Sequence, residues 1–183
     1  MKYILASGSP RRKELLKQII KDFEIIIPNV DENLDIKNPE KLVLELSKLK
    51  ANSITKYGII ISADTIVVKG DKILGKPKNY NEAFNMLKSL SNSSHFVYTG
   101  VCIKNENEID NFVVKTKIYF RKLSDEEIEK YIKDKSPYDK AGSYGIQETD
   151  FCVKIDGSYT NVVGLPTEEL RKKLYESIYS KKR

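Results

Sequence analysis

Tyr3-Ile4-Leu5-Ala6-Ser7-Gly8-Ser9-Pro10-Arg11-Arg12-Lys13-Glu14-Leu15-Leu16 reads as a short buried strand, an abrupt break and the opening of a helix. Leu15, Leu16, Ile19, Ile20 and Phe23 recur at helical spacing and extend that helix over about Pro10–Asp22. Glu24–Pro28 then reads as a second strand. Asn38-Pro39 opens another helix, with Asn38 as N-cap and Pro39 as first helical residue. Ile59-Ile60-Ile61-Ser62-Ala63 is a β-branched run, hence a buried strand, continued by Thr65–Val68 and turned back at Lys69-Gly70-Asp71-Lys72. Tyr80–Leu90 is helical by period. His95–Lys104 and Phe112–Arg121 are longer strands joined by a polar turn at Asn105–Glu108. Ser124-x-x-Glu127 is a capping-box signature for a helix to about Lys133. Phe151–Ile155 and Tyr159–Val163 flank Asp156-Gly157 as a hairpin, and Thr167–Tyr179 closes the chain as a helix. Helices alternating with β-branched strands predict an α/β fold, a mixed β-sheet flanked by helices.

The 183 residues suit one domain, 1–183, at roughly 100–200 residues per domain. No apolar run reaches the roughly 20 residues of a transmembrane helix, and the start lacks the apolar stretch of a signal peptide. The expectation is a cytoplasmic protein with no membrane partner. Cys102 and Cys152 lie far apart, against a disulfide framework or a zinc site. His95 is the single histidine and reads as a strand-edge residue, so a two-histidine mechanism is excluded. A metal would have to be held by carboxylates, which favours magnesium or manganese. The net charge is +6, from 27 Lys and 5 Arg against 26 acidic residues, and suits an anionic partner. The lysines are spread along the chain with no aromatic interleaving, and Lys181-Lys182-Arg183 reads as a solvated tail, so no nucleic acid is expected.

Chemistry concentrates in five places. Ser7-Gly8-Ser9-Pro10-Arg11-Arg12 puts two arginines at a helix N-terminus, where they oppose the helix dipole. A bound phosphate removes that conflict, since free N–H groups and the dipole both attract it. The GxxxxGK[ST] pattern is absent, as is GxGxxG. Asp64 ends an apolar strand at the carboxyl edge where open α/β sheets bind ligands, and can hold a divalent metal or activate a water. Gly75-Lys76-Pro77 is a constrained loop that two short β segments can fold back toward Asp64. Val30-Asp31-Glu32 offers a second carboxylate, Glu32, for the metal. Ser136–Gln147 is a long segment without period, in which Tyr138 or Tyr144 can stack on a base and Gln147 can read its edge.

Taken together, Leu5–Leu16, Ala63-Asp64-Thr65, Ile73-Leu74-Gly75-Lys76-Pro77, Asp139–Gln147 and Val163-Gly164-Leu165-Pro166 resemble the Maf family of nucleoside triphosphate pyrophosphatases. The resemblance implies two lobes around a central cleft in a Maf/ITPase-like fold. It implies hydrolysis of a nucleoside triphosphate to monophosphate and pyrophosphate with a divalent cation, Mg2+ or Mn2+, in a homodimer. It implies Asp64 as proton acceptor, with roles for Glu32, Lys76 and Lys50. Three positions separate the family's substrate branches. Here they read Arg11, Thr65 and Gln147, resembling the dTTP/UTP branch rather than the 7-methyl-GTP branch. Ser7, Ser9, Arg11, Arg12, Lys50, Thr65 and Gln147 are the expected substrate-binding residues, and Asp64 and Glu32 the expected metal ligands. The rival of another class is a nucleotide- or DNA-binding regulator of septation without turnover. Glu148-Thr149-Asp150 departs from the family's small, Gly-rich stretch after Gln147.

Overall fold

The computed structural model describes residues 2–106 and 108–179, so the Lys181–Arg183 tail and Asn107 of the polar turn lie outside it. Seven strands form one mixed sheet: β1 (Tyr3–Ala6), β2 (Glu24–Ile25), β3 (Ile59–Lys69), β4 (Lys72–Leu74), β5 (Ser94–Asn105), β6 (Glu108–Phe120) and β7 (Cys152–Asp156). Their order is β2-β1-β3-β5-β6-β7, with β4 folded back on β3. β1 pairs in parallel with β2 and β3, and the other pairs are antiparallel. The helices are α1 (Pro10–Lys17), α2 (Pro39–Asn52), α3 (Tyr80–Leu90), α4 (Asp125–Lys135), α5 (Tyr159–Val163) and α6 (Thr167–Tyr179). The predicted α/β class with a mixed sheet flanked by helices is the fold observed.

The continuous Ile59-Ile60-Ile61 run is explained by burial on both faces, since successive strand side chains point opposite ways. Ile4, Ala6, Ile60 and Cys102 pack against Ala51 and Ile54 of α2 and its end. Leu5, Ile61, Ala63 and Val101 face the larger core with Leu16, Leu87, Ile128 and Leu170. A Cβ on Gly100 would lie 2.3 Å from the Val43 carbonyl oxygen, so only glycine lets α2 seat here. The Ser62 hydroxyl donates to the Ser47 carbonyl at 2.6 Å and pins the same helix to β3. Ser124 and Glu127 complete the expected capping box.

The structure corrects four local readings. The first helix stops at Lys17 rather than Asp22, although Ile19, Ile20 and Phe23 still pack on the core. Apolar spacing therefore outlasts helical hydrogen bonding. The second strand is two residues long, and Ile27 is exposed. Tyr159–Val163 is a helix, not a strand: Ser158 caps it by accepting from the Asn161 N–H, and Gly164 ends it at φ 125°. Asn161 Nδ2 donates to the Val97 carbonyl at 3.2 Å and to Thr116 Oγ1 at 2.9 Å. These anchors override the β propensity of Tyr-Thr-Asn-Val-Val. His95 is not an edge residue: it is 1% exposed and its Nε2 lies 2.7 Å from the Tyr144 hydroxyl.

Candidate active site

Ser9 is the N-cap of α1, its hydroxyl accepting from the Arg12 N–H at 3.4 Å. The Ser9 N–H donates to Ser7 Oγ at 3.2 Å, which closes the turn. Arg12 is held by three separate elements. Its Nε donates to the Gly164 carbonyl at 2.8 Å, one Nη to Thr65 Oγ1 at 3.1 Å and the other to Ser7 Oγ at 3.4 Å. Thr99 Oγ1 donates onward to the Asn161 carbonyl at 3.0 Å, so Thr65, at 2.9 Å, donates to Thr99. One relay thus runs from Arg12 through two strands to α5. Burial pushes the Arg12 guanidinium below its ordinary value, while the Asp64 charge pulls the other way.

Asp64 lies within β3 rather than at its end, opposite Gly100 of β5. It stands just beyond the last parallel pair, Ala6 with Ser62, so it still occupies the edge where β1 gives way to the first loop. Lys50, in the last turn of α2, reaches across to it. The Lys50 ammonium is 2.6 Å from Asp64 Oδ1 and 3.1 Å from Glu32 Oε2. Both expected metal ligands therefore converge on one cationic centre. Among the described residues no group of three or more His, Cys, Asp or Glu can hold a metal ion unaided. Two carboxylates plus substrate phosphates are a normal donor set for magnesium, so the residues present fit such an ion.

The β3–β4 hairpin sets Leu74 opposite Val67, which returns the chain toward Thr65 and brings Lys76 into the cleft wall. The first loop, Asp64 and Lys76 do line one cavity. Lys76 is exposed and makes no ion pair among the described residues. One end of the cleft is polar, with Ser7, Ser9, Arg12, Glu32, Lys50 and Lys76. The adjoining part carries Val67, Val97, Ala141 and Val162 together with Arg12, Asp64, Lys140 and Gln147. Charged groups beside apolar side chains in one cleft suit a ligand that joins a phosphate chain to a base.

A scan against protein-family models matches residues 2–177 to the Maf-like protein family. The chain belongs to that family. The dTTP/UTP pyrophosphatase of Thermosipho melanesiensis is 54% identical over 172 residues, covering 93% of this Maf-like chain and 94% of its own. The dTTP/UTP pyrophosphatase of Carboxydothermus hydrogenoformans is 49% identical over 183 residues, covering 96% and 98%. The solved Staphylococcus aureus Ham1 protein aligns over 66% of the chain and 72% of its own at 14% identity, with a TM-score of 0.47.

The ten residues of the Maf-like sequence expected to bind substrate, hold metal or act in catalysis lie on or beside the cleft. Tyr138 does not line it, and Tyr144 is buried, with its ring against His95 and Phe120. Sequence reasoning gave no role to a second polar network. Arg11 donates to Asp139 at 3.0 Å, and Lys140 donates to the other Asp139 oxygen at 2.8 Å. Lys140 also lies 3.5 Å from Glu148, which accepts from the Tyr131 hydroxyl at 3.0 Å. Asp139-Lys140 was visible as a motif, but adjacent opposite charges usually mark a solvated turn. Lys140 is nonetheless buried while Asp139 stays exposed, and the chain turns just after them at Gly142, φ 68°, where a Cβ would lie 2.8 Å from Val67.

Proposed function

We propose that the chain is a nucleoside triphosphate pyrophosphatase that hydrolyses dTTP and UTP to the monophosphate and pyrophosphate, residues 1–183 acting as one catalytic unit in a cytoplasmic homodimer. The observation that carries the reading is the convergence of Arg12, Lys50 and Lys76 with Asp64 and Glu32 on one cleft that also carries apolar side chains such as Val67 and Val97. The names of the relatives support the choice of substrate.

A triphosphate carries about four negative charges, so electrostatic stabilisation dominates its hydrolysis. Arg12 enters the reaction already aimed by Gly164, Thr65 and Ser7. With the backbone N–H of Arg11 it grips the phosphate chain at the positive end of α1. Asp64 and Glu32 would hold a divalent cation, which when bound would supply further charge neutralisation and ease deprotonation of water. Asp64 accepts the proton of the water that attacks the α-phosphorus. Lys50 holds Asp64 and Glu32 toward each other and limits their mutual repulsion. Lys76 meets the charge that gathers on the departing pyrophosphate, and Gln147 pairs with the base edge.

The test is pyrophosphate release over a panel of nucleoside triphosphates, 7-methyl-GTP included, with magnesium and with chelator. Release from dTTP and UTP that chelator abolishes is the expected outcome. Binding without turnover of any triphosphate would sink the enzymatic reading.

A further inference from the structure

Gln147 alone cannot separate uracil and thymine from cytosine. Its carboxamide donates from nitrogen and accepts at oxygen, and a half-turn of the terminal group exchanges the two. Uracil and thymine present the O4 acceptor beside the N3–H donor. Cytosine presents the N4 amino donor beside the N3 acceptor. A freely turning amide pairs with both.

Lys140 lines the same cleft as Gln147. Its side chain is 8% exposed, and its ammonium is braced by Asp139 at 2.8 Å and Glu148 at 3.5 Å. Those carboxylates are themselves held by Arg11 and by Tyr131. Gly145 leaves room for the stem, since a Cβ there would come 3.1 Å from Lys140 Cε. An ammonium has three N–H groups and no acceptor. Asp139 accepts one of them and Glu148 attracts the ammonium from 3.5 Å, which leaves N–H capacity for a ligand in the cleft.

Resting on the dTTP/UTP reading above, we propose that Lys140 is a specificity-determining residue: its ammonium donates to the O4 carbonyl of the base and turns away the N4 amino group of cytosine. A carbonyl oxygen has two lone pairs, so O4 accepts from Lys140 and from the Gln147 amide together. The Gln147 oxygen is then directed at N3–H. The donor-only lysine fixes the sense of an amide that would otherwise read both edges.

The experiment compares kcat/KM for pyrophosphate release from UTP and CTP in wild type, Lys140→Met, Lys140→Gln and Lys140→Arg, with thermal unfolding of each as a control. Wild type prefers UTP. Lys140→Met and Lys140→Gln are expected to cut the UTP:CTP ratio about tenfold or more, because Met has no donor for O4 and the Gln amide can turn its oxygen to accept from N4, so neither turns cytosine away. Lys140→Arg, still donor-only, keeps the ratio within about threefold. Should Lys140→Met not fold, Lys140→Gln, polar and of similar length, gives the same comparison. A purely structural lysine would lower both substrates alike, and an unchanged ratio in the folded Met or Gln variant overturns the proposal. A wild type that uses UTP and CTP equally overturns it too. A wild type inactive on every triphosphate instead brings down the underlying assignment of function.

Discussion

Lys50 puts an ammonium where the Asp64 and Glu32 carboxylates meet, and this contact decides what single substitutions do. Asp64→Asn keeps the shape but removes the proposed proton acceptor, while Lys50 retains Glu32 at 3.1 Å as a partner. Turnover is expected to fall by about 10²–10⁴-fold, the range of general-base contributions. Equilibrium binding of the nucleotide, measured by calorimetry, should persist. Near-native turnover in this variant would remove Asp64 from proton transfer. Gln147→Glu should lower use of dTTP and UTP, because a carboxylate has no N–H for O4; steady-state kinetics on both substrates check this. Asp64 was legible because an acid in an apolar strand is costly unless paired. Lys50 was not legible from its surroundings, being one of 27 lysines in an amphipathic helix. Only the position of α2 over the sheet distinguishes it.

That position is a property of two elements in contact. The Val43 carbonyl rests on Gly100, and Gly100 is the register partner of Asp64. Lys50 is two helical turns past Val43, so it emerges on the same face of α2 and over the same strand. Gly100→Ala should cost about 1–3 kcal/mol by overpacking, read from urea unfolding. Its turnover, assayed on the folded protein, should fall as well, because α2 must rise and carry Lys50 off Asp64. Loss of stability with full turnover would show that the seat of α2 does not position the site. At this scale the sequence was readable where local signals agreed with packing, as at Tyr80–Leu90 and Thr167–Tyr179. It misled at Tyr159–Val163, where the Asn161 anchors come from β5 and β6, some 45 or more residues away in the chain.

Across the whole molecule, the aromatic layer of His95, Phe120, Tyr144 and Phe151 ties the sheet to the segment that carries Gln147. Burial, and secondarily the Lys69 charge, hold His95 down at about 3. The unfolded chain takes up a proton on His95 near its ordinary value of 6.5, whereas the folded chain stays neutral. The unfolded state therefore binds more protons between those limits, and stability falls as pH drops from 6.5 toward 3. The contribution of this residue approaches about 1.4 kcal/mol per pH unit. Unfolding free energies of wild type and His95→Gln should accordingly converge or cross on acidification, the wild type losing more. Parallel curves would show that His95 does not carry the acid sensitivity. The α/β class was legible from the alternation of elements. The aromatic layer was not, because a lone histidine between serines and a phenylalanine carries no sign of what covers it.

The grip on Arg12 draws on Ser7, Thr65 and the carbonyl of Gly164, residues spread over most of the chain. During synthesis, a ribosome-bound chain that has not yet delivered Gly164 has the arginine but nothing to aim it. Hydrolytic competence should thus arise only as α5 docks, which spares the cell's pyrimidine pool from half-made copies.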